Sequence, residues 1–334
     1  MAEPAPIVQC GNPDCKVGQD GKCVEGLELD KCPHYGKPRQ PKAAAGTVAD
    51  ENHGMLLPSG DLLTVGDANG VLRRGGSRVL AIVGPKEAGK TTLIASIFEL
   101  FLRGGIGPYR FSSSKTLYAF ERACHPSRAV SQNVVPKTER TLLTDVHFYH
   151  LATRKDGAPV VDMLLSDRNG EDYRASTDDP STASDFAEIA RADTITFLVD
   201  GSQLLGLTTR SSIASEVVAI AQALIDGEAI IGRPRVAIVL TKVDCIKRSR
   251  DHERTMRDFR NLVSRFESLY GEAFREIKSF EIAACPADTS LSLGHGVPEL
   301  LNYWQMESPE PIRPAQLYAS RSTRFMHLLH GTQE

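Results

Sequence analysis

Residues 84–91 read Gly-Pro-Lys-Glu-Ala-Gly-Lys-Thr, the G-x-x-x-x-G-K-T pattern of a P-loop. Its position gives the pattern its force. An apolar run, residues 79–83, comes directly before it, and a helix-like run, residues 92–102, directly after it. A strand that feeds a glycine-rich turn into a helix aims backbone N–H groups and the partly positive helix N-terminus at one anion. Gly84, Pro85, Lys86, Glu87, Ala88, Gly89, Lys90, Thr91 and Thr92 then line a phosphate cradle. Lys90 reaches the β and γ oxygens, and the Thr91 hydroxyl ligates Mg²⁺. A side chain at Gly84 or Gly89 would block the loop or its positive φ angles.

From residue 78 to 305, apolar runs of β character alternate with helical stretches. Strands are expected at 78–83, 145–152, 160–166, 194–200, 235–241 and 279–284, and helices at 90–103, 184–191, 213–226, 251–276 and 297–305. Runs such as ITFLV and VAIVL are near-continuously apolar, as in strands covered on both faces. The alternation implies an α/β fold, doubly wound around a mainly parallel six-stranded sheet. Ligands of such sheets sit at the C-terminal strand ends.

Two more motifs fall at those ends. Asp167-Arg168-Asn169-Gly170 closes the run VVDMLLS. Asp167 would hold Mg²⁺ through water beside Thr91, and Gly170 would offer its N–H to a γ-phosphate. Thr241-Lys242-Val243-Asp244 closes VAIVL. A carboxylate at Asp244 can accept from guanine N1–H and N2–H₂, a donor pair that adenine lacks, while the Lys242 stem lies against the base. Ala284 and Cys285, at the end of the last strand, would turn backbone amides towards the guanine oxygen. Plainer readings are a common D-x-x-G turn and an aspartate opening a helix. Asp200, in FLVDGS, reads as a turn or cap residue.

A chain of 334 residues, 41% apolar, suffices for one domain of about 250 residues and a small appendage. A net charge of −3 argues against a general nucleic-acid binder. With neither a signal-type N-terminus nor an apolar run approaching about 18 residues, the expectation is a soluble, cytoplasmic protein. Its seven cysteines should then stay reduced. Four of them, Cys10, Cys15, Cys23 and Cys32, crowd residues 1–36 in the spacing C-x4-C-x7-C-x8-C. That segment has too few apolar residues to fold on burial alone. Four thiolates around a tetrahedral Zn²⁺ would supply the missing stability, with His34 as a spare ligand. Such a module would serve contacts with a protein partner; a redox thiol cluster and an unstructured tail are the alternatives. Cys124, Cys245 and Cys285 are expected to act as small apolar residues. Residues 37–77 read as a linker with a short helix within 61–74, and residues 306–334 as a polar tail, basic in patches.

GPKEAGKT, DRNG, TKVD, the AAC segment and the closing helix GVPELLNYW follow in this order over residues 78–305. Together they resemble the Ras-like, translation-factor-related P-loop GTPases of the TRAFAC class. The insert TLYAFERACHPSR, the segment PKTERT and the Cys-rich N-terminus add a narrower likeness. With them the chain is similar to the bacterial double-GTPase family associated with predicted conflict systems. The resemblance implies GTP and GDP with Mg²⁺, and a switch cycle between the two states. It implies a switch threonine closing over Mg²⁺ and the γ-phosphate, either Thr138 or Thr141, the latter nearer the next strand. Arg140 beside it would be an arginine finger in cis or an exposed loop residue, with Arg168 and Arg174 as further finger candidates. A helix is expected at 116–128 within this long region.

The chain departs from the family pattern at three places. Thr241 stands where asparagine is usual and can support the P-loop only in part. Glu171 stands where glutamine usually orients the attacking water, so its charge faces the γ-phosphate and hydrolysis should be slow. The last base-recognition motif lacks Ser-Ala-Lys. Three functions compete: a GTP-hydrolysing switch whose segments 133–142 and 167–178 rearrange, a non-hydrolysing guanine-nucleotide-dependent interaction module, and a P-loop ATPase or kinase. TKVD argues against the last.

Overall fold

The computed structural model describes residues 59–125, 145–287 and 290–307, together with Val17, Cys23, Gly26 and residues 28–32 and 34–37. Internal contacts divide the chain into Met1–Leu57 and Pro58–Glu334. The larger unit opens with α1 (Val65–Leu72), β1 (Ser77–Val83), α2 (Lys90–Leu102), β2 (Tyr109–Ser113) and α3 (Leu117–Cys124). Then come β3 (His147–Lys155), β4 (Val161–Asp167), α4 (Gly170–Ala175), α5 (Ala187–Ala190), β5 (Thr194–Asp200) and α6 (Gly201–Leu205). It ends with α7 (Arg210–Asp226), β6 (Arg235–Thr241), α8 (Val243–Lys247), α9 (His252–Tyr270), β7 (Ile277–Glu281) and α10 (Val297–Trp304).

Alternate residues of β1 enter different cores. Ala81 and Val83 pack with Ile195, Phe197 and Val199 of β5 and with Val217, Phe259 and Phe266 of α7 and α9. Leu80 and Ile82 face the other way, towards Leu93, Ile94 and Phe98 of α2, Phe120 of α3, and Leu300 and Trp304 of α10. Helices therefore cover both faces of the sheet, which is why β5 and β6 are buried at every position. The indole N–H of Trp304 donates to Thr196 Oγ1 at 3.0 Å, satisfying a polar group with no exposure.

The sheet has seven strands, not six, in the order β2-β3-β4-β1-β5-β6-β7. β1 pairs in parallel with β4 and β5, β6 with β5 and β7, while β3 runs antiparallel to β4 and β2 to β3. The added strand is β2, short and with Arg110, Ser112 and Ser113 exposed, so its sequence carries no buried run to betray it. Contacts remote in sequence fix it in place. Ser114 Oγ donates to the His150 carbonyl at 2.6 Å, and Lys115 N–H to His150 Nδ1 at 3.0 Å.

Other boundaries shift for local reasons. The helix expected to reach residue 276 stops at Tyr270, before Gly271. The one expected at 184–191 is split into a 3-10 turn (Pro180–Asp185) and α5. The last strand ends at Glu281, and Ala283 bridges to His295 instead. α1 is fixed at its start by a capping box between Thr64 and Asp67 and packs Ala68 and Val71 against Phe148 and Leu164.

In the N-terminal unit, Val17 packs with Leu29 and Tyr35 beside the 3-10 turn Leu29–Lys31. Cys23 and Cys32 are partly buried free thiols, each opening a tight turn through its carbonyl. Cys10 and Cys15 lie outside the described residues, and among the described ones no group of three metal-ligating side chains gathers.

Candidate functional site

Strand order reverses at β1, whose neighbours β4 and β5 follow it by different routes, so a crevice opens beyond its carboxyl end. Residues 84–91 fill that place. Gly89 caps α2 with φ +96°, and Glu87 also takes the left-handed conformation at φ +64°, a strain that non-glycine residues rarely carry. Gly84 leaves little room for a side chain: a Cβ there would fall 3.0 Å from that of Leu198.

Lys90 is buried, and its ammonium donates to the Gly84 and Pro85 carbonyls at 2.8 and 3.2 Å. Burial pulls its pKa down from 10.5 to about 8, against the opposing fields of Asp167 and Asp172. A phosphate placed in the loop would restore the charged form. Asp167 ends β4 with 3% exposure. Thr91 stands in the first turn of α2, so a hydroxyl and a carboxylate, both hard oxygen donors suited to Mg²⁺, belong to adjacent elements.

Gly170 abuts the loop. A Cβ on it would lie 2.7 Å from the Gly84 carbonyl and 2.8 Å from Lys86 N, so no other residue fits without backbone displacement. Glu171, next in α4, is half exposed and 3.7 Å from the Lys86 ammonium. An open cleft of about 420 Å³ lies beside them, lined by Lys86, Glu87, Glu171, Arg174, Gln203 and Glu216. Arg174 enters this cleft, 4.0 Å from Glu216. Arg168 does not. It is buried, bonded through Nε and Nη2 to Glu188 at 2.6 and 3.2 Å, and stacked over Phe186 at 4.4 Å. Tyr173 O–H donates to the same Glu188 at 2.9 Å. Arg168 therefore anchors the start of α4 to the residues before β5 and is no finger. Thr138, Arg140 and Thr141 fall outside the described residues.

The residues that the sequence assigns to base reading lie at the ends of β5 and β6. Thr241 Oγ1 lies 2.9 Å from the Ala88 carbonyl and 3.2 Å from that of Val199, so its one proton serves two acceptors. This hydroxyl ties the TKVD segment to the P-loop. Lys242 is left-handed, with φ +55°, and its ammonium reaches Asp200 Oδ2 at 2.7 Å. Asp244 is buried, and its Oδ2 accepts from Ala287 N–H at 3.3 Å, with Arg248 at 3.6 Å. Asp244 thus lies against the segment 284–287 that contains Ala284 and Cys285. Burial, then the charges of Asp244 and Glu99, raises the Cys285 pKa. Of the three cysteines expected to be buried, only Cys124 is fully so; Cys245 and Cys285 are partly buried near Asp244.

The model of the Double-GTPase 2 family matches residues 78–305. The chain belongs to that family. Its match begins with β1 and ends just past α10, so it contains the loop, Gly170, the TKVD segment and the residues that join them. No curated protein matches the sequence. Among solved structures, the Double-GTPase 2 chain is similar to Roco2 RocCORdC of Methanosarcina barkeri, bound to GDP, at 13% identity and a TM-score of 0.35. That match covers 72% of this chain and 52% of the Roco2 chain, about half its length. The signal recognition particle receptor SRb-GTP/SRX complex of Chaetomium thermophilum is similar at 17% identity and TM-score 0.37, covering 69% and 95%. The Ski7 GTPase-like domain of S. cerevisiae, bound to GTP, is similar at 14% identity and TM-score 0.38, covering 73% and 53%. No helix of the described residues is long and apolar enough to cross a membrane.

Proposed function

We propose that this chain is a guanine-nucleotide switch that binds GTP with Mg²⁺ and hydrolyses it to GDP and phosphate. One observation carries the reading: Thr241 bonds the TKVD segment to Ala88 of the P-loop, so one rigid unit holds both a phosphate cradle and a purine-reading carboxylate. Lys90 and the amides of residues 84–92 bind the phosphates. Thr91, Asp167 and Thr141 would hold Mg²⁺, which would supply charge neutralisation to the phosphates. Asp244 accepts from guanine, with Ala284 and Cys285 beside the base.

For hydrolysis, Glu171 orients the water that attacks the γ-phosphorus as the bond to the β–γ bridging oxygen breaks. Arg140 or Arg174 would stabilise the spreading charge. A carboxylate in place of an amide at that water makes the unaided reaction slow. The four N-terminal cysteines would bind Zn²⁺ and dock a protein partner, and membership of the Double-GTPase 2 family favours a role in a conflict system.

The test is the nucleotide and metal that co-purify, identified by mass spectrometry, followed by competition of labelled GTP with excess ATP. Asp244→Asn should abolish the preference for GTP; unchanged selectivity would refute the assignment. The contact of Glu171 with Lys86 favours a second reading, in which GTP is bound but not cleaved and the nucleotide state alone recruits a partner. Phosphate release above background in a single-turnover assay excludes it.

A further inference from the structure

We propose that Asp200 is a positioning residue for the nucleotide: it anchors the Lys242 side chain as the preset wall on which the purine lies. This inference rests on the guanine-binding reading given above.

Asp200 ends β5 and is 1% exposed. Its register partner across the sheet is Thr241, so it stands beside the residue that precedes Lys242. A carboxylate so far from water needs its oxygens occupied. Oδ1 caps α6, accepting from Ser202 N at 2.9 Å, Ser202 Oγ at 2.6 Å and Gln203 N at 3.4 Å. A cap of this kind needs one oxygen and no charge; asparagine or serine would serve. The second oxygen and the charge are used elsewhere, on the Lys242 ammonium at 2.7 Å.

Lys242 itself is strained into the left-handed region, which lets its backbone start α8, the helix carrying Asp244. Its side chain is then held at both ends, by β6 at the backbone and by Asp200 at the ammonium. A four-carbon stem fixed in this way is an apolar surface that loses no further rotamer freedom when a ring settles on it. Selection and support are thereby divided: Asp244 reads the base edge, Lys242 carries its face, and Asp200 keeps Lys242 in place.

The experiment measures binding of GDP, IDP and inorganic pyrophosphate to the full chain with Mg²⁺. IDP lacks the exocyclic amine that Asp244 reads, and pyrophosphate lacks the base. Asp200→Asn keeps the cap and removes the charge. It should weaken GDP and IDP together by about tenfold, leaving their ratio and pyrophosphate binding unchanged. Lys242→Met leaves the buried cap untouched and should give the same pattern, so the test stands even if the first variant is insoluble. The double variant should be no weaker than the weaker single one. Parent-like GDP affinity in either variant, additive losses in the double, or an equal loss of pyrophosphate would overturn the proposal. A parent protein that binds pyrophosphate but no guanine nucleotide would overturn the guanine reading itself.

Discussion

At the β5–β6 end of the site, Thr241 and Lys242 meet buried partners at 2.9 and 2.7 Å and the buried Asp244 accepts from Ala287 N–H at 3.3 Å, whereas the charged side chains that line the cleft beside Gly170 meet in solvent. Lys86 and Glu171 are 3.7 Å apart, each about half exposed, and Arg174, 76% exposed, stands 4.0 Å from Glu216. Exposed pairs at such distances contribute roughly 0–1 kcal/mol, while a buried charge deprived of its partner costs several times that. The β5–β6 end is therefore held by its own buried bonds. The side chains lining the cleft hold one another only weakly, although Arg168 and Tyr173 fix α4 itself through Glu188.

Lys90→Ala should have the largest effect, because it removes the cation of the phosphate cradle. A loss of about 100-fold in GTP affinity follows from roughly 3 kcal/mol for a charged hydrogen-bonding partner, measured by calorimetry. The parent should also show a pH signature. With the ligand-free pKa near 8 and the charged form favoured by phosphate, affinity is flat below that value and falls above it. The decline is at most about tenfold per pH unit, with proton uptake on binding. Lys90→Ala should lose this dependence.

Gly170→Ala forces α4 away from the Gly84 carbonyl. It should destabilise the fold by about 1–3 kcal/mol in urea titration and erase any preference for GTP over GDP, yet leave guanine selectivity intact. Thr241→Val preserves shape but strands the Ala88 carbonyl. GDP binding should weaken by about tenfold at the rigid end, corresponding to roughly 1.4 kcal/mol. The smallest effect belongs to Lys86→Met, whose partner is solvated: stability should change by less than about 0.5 kcal/mol. A change larger than that of Thr241→Val would reverse the comparison.

The cradle, the Asp167–Gly170 turn and TKVD were legible in the sequence because each is contiguous and follows a strand whose apolar run announces it. The bonds that join them were not. Thr241 and Ala88 are 153 residues apart, Lys242 and Asp200 are 42, and no local pattern links either pair. Asp200 shows the limit well: its place before Gly201 and Ser202 marks a cap, and the cap is there, but the ion pair needs the β5–β6 register to be seen. Arg168 was misjudged for a similar reason. Its partner Glu188 lies in the apolar stretch AEIA and becomes fully buried only through packing with Tyr173 and Phe186. β2 escaped notice because an edge strand of five residues, with Arg110, Ser112 and Ser113 exposed, has the polarity of a loop.

Trp304 is the chain's single tryptophan, sealed beneath β5 with its N–H donated to Thr196. An indole so shielded emits at short wavelength and shifts red only when water reaches it. The molecule thus carries an intrinsic fluorophore that reports the opening of the α2–α10 layer, with no label added and no second emitter of its kind to confuse the trace.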